Sequence, residues 1–414
     1  MGKGRLLVGT AAACFALAAV ASAAAAQDAV SVLDRPRPEY DPVGGRVGSF
    51  FIYPKAEVET RYDTNIFATQ NNAKDDFIGV FSPQISIQSD WTRHALNASA
   101  GAEIGRYADF SGEDYEDFFL KTNGRLDVLR STTMFGDVNL SKLHEERGSP
   151  DDVNGKTPTE YYDLNGGVSG AYQVSRIALF GNARYQYLDY NDVQTSAGTT
   201  INNDDRDRGV ATTGARVGYE IIPNYLAFVS GEYNNRDYVT SVDDSGLNRD
   251  SQGYDISVGT QFRLSGITRG EVSAGWQQQF YKDSQLNDIS GFSFKLGVTW
   301  FASELTTVDF SGARTIEETT IVGASGYLNS SIRVDVAHEL RRNIILTGGA
   351  GFADNDYQGI DRTDYLFDGS IGAKYLINRN FYVGANYEFT MRNTNVDGSD
   401  YKRSVVMLRG GVQF

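Results

Sequence analysis

A chain of 414 residues with 53 acidic against 38 basic side chains carries a formal net charge of −15, a poor match for nucleic acid. Aromatic residues at 12%, with 44 glycines and only 8 prolines, exclude a disordered or collagen-like chain and suit a large antiparallel sheet. Beyond the first 26 residues no apolar run approaches the roughly 18 residues of a membrane-spanning helix, so helical spans are excluded too.

Residues 1–26 read as a secretory signal peptide. Lys3 and Arg5 precede an apolar run from Leu6 to Val20, and Ala24-Ala25-Ala26 offers small residues for cleavage before Gln27. The run is too short for a transmembrane anchor. Cys14, the only cysteine, leaves with this leader, as do two positive charges, so the mature chain is more acidic still. Residues 27–47 hold Pro36, Pro38 and Pro42 and the pair Gly44-Gly45. They predict an extended, irregular segment that does not pair into a sheet. Two roles stay open for it: a tether, or a piece that plugs a lumen or docks a partner.

From residue 48 to 414 the chain repeats a unit of strand, short turn, strand and long polar loop, about 18 strands in all. Short turns fall at 92–93, 129–132, 174–176, 222–224, 265–267, 302–304, 341–342 and 377–379. Long segments rich in Asp, Asn, Gly and Ser fall at 63–78, 146–159, 191–206, 240–251 and 393–400. Each strand alternates with a period of two. Phe292, Phe294, Leu296, Val298 and Trp300 share one face while Ser293, Lys295 and Thr299 take the other. Phe381, Val383, Ala385, Tyr387 and Phe389 likewise separate from Asn386, Glu388 and Thr390. Short turns on one side and long loops on the other predict an all-β, antiparallel, up-and-down transmembrane barrel with both termini at the short-turn, periplasmic end. A soluble sandwich alternates too, but does not repeat this asymmetry.

Aromatic residues gather at strand ends, as an interfacial girdle requires: Trp91, Tyr172, Tyr219 and Trp300 toward the short turns, Tyr62, Tyr187, Tyr233 and Phe280 toward the long loops. The polar face supplies the candidate lumen. Its acids include Glu57, Glu59, Glu103, Glu232 and Glu388; its bases include Arg61, Lys121, Arg125, Arg184, Arg263, Lys295, Arg333 and Arg409. The near balance of signs fits either a solvated wall of cross-strand pairs or a channel for neutral or weakly charged solutes. In the last strand Val406, Leu408, Gly410, Val412 and Phe414 form the apolar series. An alternating strand ending in Phe resembles the assembly signal of bacterial outer-membrane barrels, with Leu408, Val412 and Phe414 its carriers.

Acid pairs such as Asp75-Asp76, Glu113-Asp114, Asp151-Asp152, Asp204-Asp205, Asp243-Asp244 and Asp354-Asn355-Asp356 are expected in the long loops as a solvated, repulsive rim. Tyr365 stands where a calcium loop needs its closing Glu, so no metal site is assigned. Of the three histidines, His94 and His338 adjoin short turns; His144, beside Glu145 and Glu146, is the one residue that a hydrolase reading could use. No motif fixes a nucleophile beside it, and no cofactor motif is present, so an enzyme is not expected.

The stretches Arg35-Pro36-Arg37-Pro38-Glu39-Tyr40-Asp41-Pro42, Tyr62-Asp63-Thr64-Asn65-Ile66-Phe67, Ser89-Asp90-Trp91-Thr92-Arg93-His94 and Glu145-Glu146-Arg147-Gly148-Ser149-Pro150 resemble the β-barrel porin type 2 family of proteobacteria. The resemblance implies an outer-membrane barrel of a Gram-negative bacterium and carries no catalytic residues. Some broadly similar barrels accompany exopolysaccharide export. The expected partners are therefore outer-membrane lipid and lipopolysaccharide, the barrel assembly machinery and periplasmic components of polysaccharide export. A pore for export or general diffusion and a non-conducting structural or adhesive barrel both remain open.

Overall fold

The alternation of apolar and polar side chains is realised as eighteen long antiparallel strands in the computed structural model, which describes residues 29–264 and 266–414. The proposed leader lies outside the described residues. In chain order the strands are β1 (Phe50–Asp63), β2 (Asp76–Ser89), β3 (Ala95–Tyr107), β4 (Tyr115–Leu129), β5 (Thr132–His144), β6 (Glu160–Val174), β7 (Ile177–Tyr190), β8 (Arg208–Ile222) and β9 (Tyr225–Tyr238). They continue with β10 (Ser251–Leu264), β11 (Thr268–Tyr281), β12 (Ile289–Ser303), β13 (Thr306–Glu317), β14 (Gly326–Arg341), β15 (Ile344–Gln358), β16 (Thr363–Leu376), β17 (Phe381–Thr394) and β18 (Tyr401–Gln413).

Each strand pairs with the next, and β18 returns to β1 through a register running from Lys55↔Gln413 to Asp63↔Val405. The barrel therefore has no free edge to protect. Strands of this length, tilted by about 40°, rise roughly 35 Å, beyond the apolar band of about 25 Å. That surplus builds a rim on which the loops fold. The outward face is apolar and open, with Val58, Val168, Ile371 and Leu408 each more than 60% exposed and nothing of the protein over them.

The short connections fall at the eight expected places, from two residues at 130–131 to five at 90–94. Asn224 adopts the left-handed conformation at φ 71° in one of them, a geometry asparagine tolerates better than most residues. Register shifts between Asp127 and Leu129, Glu220 and Ile222, Phe301 and Ser303, and Glu339 and Arg341 place a bulge just before a short turn, bending those strands at that end.

Two expectations are corrected. Gly45–Val47, assigned to the irregular segment, pairs with Phe50–Ile52 across a tight turn at Gly48, whose φ of 61° suits glycine. Asp354-Asn355-Asp356 is not loop: it lies inside β15, paired with Ser330, Asn329 and Leu328. Local composition suggested a loop there, but the hydrogen-bonding partners on both sides hold the stretch in the sheet.

Candidate functional site

Alternate residues of a strand point to opposite faces, and of the thirteen candidate lumen residues eight, Glu57, Glu59, Arg61, Glu103, Lys121, Arg333, Glu388 and Arg409, line one chamber, where their neighbours across the sheet decide what they become. At the β1–β18 seam they form a continuous ladder. Arg409 reaches Glu57 at 3.6 Å and Glu59 at 3.5 Å, and Glu59 also accepts from Arg61. Arg61 goes on to Glu103 and to the Tyr115 hydroxyl, each at 3.0 Å. Above them Arg403 joins Asp63 at 2.6 Å and Glu146 at 3.3 Å. On the other walls Arg333 binds Asp335 and Asp368, Arg184 meets Asp137 at 2.8 Å, and Arg125 meets Asp127 at 3.3 Å. Lys121 sits over the Phe119 ring, while Glu232 and Lys295 line a shallow recess near Asp255. Arg263, at the end of β10, is the member farthest from the seam ladder along the sheet order. Pairs of this kind in a watery lumen contribute about 0–1 kcal/mol each, so they shape the wall more than they stabilise it.

Two inward tyrosines hold the ladder at its ends, and each needs a glycine opposite. Tyr115 faces Gly105, where an added Cβ would lie 2.1 Å from its ring; its hydroxyl donates to Glu103 at 2.8 Å, and its ring stacks on His144 at 3.9 Å. Tyr382 faces Gly411 with the same 2.1 Å approach and donates to Glu57, while Lys374 stands 4.0 Å over its ring. Neither tyrosine was a candidate from sequence, nor was Arg216, which is paired with Glu271 at 2.7 Å and lies 3.8 Å over Phe228. The two-residue period alone puts all three on the inward face; what sequence does not carry is which glycine lies across the ladder.

Both mouths are narrowed by the chain itself. At the short-turn end Val32 is fully buried among Ala337, Ile345, Leu376 and Tyr382. Arg37, 4% exposed, forms an ion pair of 2.9 Å with Glu339, 2% exposed, and Arg35 and Arg342 approach the same carboxylate group. Backbone contacts complete the dock: Val32 N–H donates to Thr307, Arg379 to the Pro38 carbonyl, and Gln413 to that of Tyr40. At the long-loop end, the connection 145–159 crosses the mouth. Arg147 grips Glu113 bidentately at 2.7 and 2.8 Å, Arg206 holds Glu145 at 2.7 Å, and Thr319, from the β13–β14 loop, donates to Asp151. Arg392 on β17 donates to the Gly148 carbonyl.

These contacts correct the expected solvated rim in part, since Asp75, Asp204 and Asp244 are exposed as expected. Asp76, Glu113 and Asp243 are nearly inaccessible: Asp76 accepts backbone N–H groups of Asp109 and Phe110, and Asp243 pairs with Arg249 at 2.6 Å. Burial pushes the Asp151 carboxyl above its usual range, with Arg206 and the Thr319 hydroxyl acting the other way. Between the two mouths lies a chamber of about 570 Å³, walled by the seam ladder, Asp368, Glu388, Lys121 and the underside of 145–159.

His144 does gain an acid partner, though not its neighbours: its Nδ1 is 2.9 Å from Asp117 Oδ1 at the chamber's ceiling. The nearby Ser149 hydroxyl donates to Glu145 instead. Among the described residues, no group of three or more His, Cys, Asp or Glu side chains could hold a metal ion.

A model of the family described as Putative beta-barrel porin 2 matches residues 37–414. The chain belongs to that family. Its barrel is a porin-like barrel of the outer membrane, with the short turns periplasmic and the long loops outside. No curated protein matches it. Among solved structures it is similar to OccK3 (OpdO) of Pseudomonas aeruginosa, at 13% identity and TM-score 0.44 over 88% of this chain and 96% of that one. It is also similar to OccAB4 of Acinetobacter baumannii, at 12% identity and TM-score 0.43 over 92% and 100%. A mutant ferric enterobactin receptor (PfeA) of P. aeruginosa is similar at 7% identity and TM-score 0.46 over 88% and 80%. Likeness at this level says nothing about what this porin carries.

Proposed function

We propose that this porin is a water-filled pore for small hydrophilic solutes in the outer membrane of a Gram-negative cell, reached after the leader 1–26 is removed. Its bore is set by residues 29–42 on the periplasmic side and 145–159 on the outside. The chamber carries this reading: a cavity of about 570 Å³ with paired charges of both signs on its wall. A volume in that range suits one small molecule, as clefts of roughly 300–1,000 Å³ do, and not a polymer chain. Eighteen strands enclose more space than their inward side chains fill, which is why a lumen persists once both segments are docked. Export of a polysaccharide is the narrower version and requires both segments to leave the bore. Purified, refolded full-length barrel in a planar bilayer tests the reading: stepwise, long-lived current supports it, and a folded barrel that inserts without current supports a structural or adhesive role instead.

A further inference from the structure

The chamber wall is not neutral. Ten Asp and Glu side chains line it against seven Lys and Arg, and one of the ten, Glu145, is paired with Arg206 behind the lining, which leaves an excess of two negative charges where a solute must pass. Most of these carboxylates are tied: Arg61 and Arg409 hold Glu57, Glu59 and Glu103 between them, and Arg403 holds Asp63 and Glu146. Glu388 differs. It sits midway along β17, directly across from Ser370 on β16 and Val405 on β18, and makes no hydrogen bond or ion pair among the described residues. Of the neighbouring charges Arg61 acts on it most strongly, followed by Glu146, Glu59 and Arg403, and both arginines are engaged with other acids.

A carboxylate that lines the chamber at mid-height, with no cation bonded to it, draws a counter-ion from solution, and a lumen bounded by low-dielectric walls focuses that field along the ion path. We infer that the pore prefers cations to anions and that Glu388 is the residue that sets the preference. This rests on the pore reading above and specifies its solute class: small inorganic or organic cations pass more readily than anions of the same size. The paired members of the ladder contribute less, because each is offset by a cation within 4 Å.

The test is the reversal potential of the full-length barrel in a planar bilayer under a KCl gradient, for wild type, Glu388→Gln and Glu388→Lys, each shown to be folded by its heat-modifiable migration. Wild type should reverse on the side of K⁺ preference. Glu388→Gln should lower the K⁺/Cl⁻ permeability ratio by about five- to sixfold, because Coulomb's law gives a factor of roughly 2.4 per ion for one unit charge some 8 Å from the ion path in water, acting in opposite directions on K⁺ and Cl⁻, and Glu388→Lys should lower it further. A wild type that prefers Cl⁻, or a Glu388→Gln ratio equal to that of wild type, overturns the assignment while leaving the pore intact. Absence of current in wild type removes the pore reading and this inference together.

Discussion

Tyr115 keeps its place on the ladder because Gly105 leaves room for its ring, so the smallest possible side chain there is a sensitive probe. Gly105→Ala should displace the ring, break its bonds to Arg61 and Glu103, and lower stability by about 1–3 kcal/mol, the usual range for overpacking. An unchanged midpoint for heat unfolding would show that Tyr115 is not held as described. A second residue gives a pH dependence. Asp207, in the loop before β8, accepts the Tyr190 backbone N–H, yet burial and the nearby Asp189 and Asp204 push its carboxyl up to about 6. The folded state then binds this proton more tightly than the unfolded chain. The stabilising contribution is fully present below the unfolded value near 4 and is lost as pH rises through about 6. Asp207→Asn, which keeps an acceptor without the charge, should therefore melt above wild type at pH 7, with the gap closing as pH falls toward 4. A gap that widens on acidification would reverse the sign of the argument. At this scale sequence was informative about direction and silent about partners: parity placed Glu57 and Arg409 inward, but nothing local indicates that Asp117, 27 positions away, meets His144.

Strands were the most legible element, since a barrel wall repeats one constraint eighteen times: apolar toward lipid, polar toward the lumen. Val168 and Ser169, adjacent in the middle of β6, separate the two faces, and Val168 is 61% exposed on the outside. Val168→Arg should destabilise by about 2–4 kcal/mol if it sits at the bilayer midplane, while Ser169→Gln should change little. Chemical unfolding in lipid vesicles checks this, and equal losses would mean that the faces are exchanged. Phe414 extends the outward series of β18 and its N–H is bonded to the Pro54 carbonyl. Deleting it should reduce the amount of heat-modifiable barrel recovered from outer membranes; a normal yield would deny it an assembly role. Loops and the N-terminal segment were less legible for a physical reason. Their positions depend on contacts between residues far apart in the chain, such as Arg37 with Glu339 and Thr319 with Asp151, which leave no periodic trace. Acidic pairs look solvated when read locally, and one member of three of them, Asp76, Glu113 and Asp243, is buried by partners that the local sequence does not show, while Asp75, Asp204 and Asp244 stay exposed.

For the molecule as a whole, the decisive feature is a wide barrel narrowed by its own chain at both mouths. At the short-turn mouth one buried carboxylate carries the ion pairs that dock residues 29–42, beside the buried Val32. Glu339 is buried and faced by Arg35, Arg37 and Arg342, and removing one member of a buried ion pair typically costs about 3–5 kcal/mol because the other charge is stranded. Glu339→Gln, a near-isosteric change at the end of β14, should therefore loosen residues 29–42 while the strand pairing is kept, and do in part what deletion of those residues does in full. The most direct measurement is single-channel conductance in planar bilayers for the full-length barrel, Glu339→Gln and a chain lacking residues 29–42. The account predicts small, steady steps for the full-length protein, larger steps for the deletion and intermediate or flickering steps for Glu339→Gln. Equal steps in all three would contradict the constriction, and folded barrels that pass no current in any form would contradict the pore.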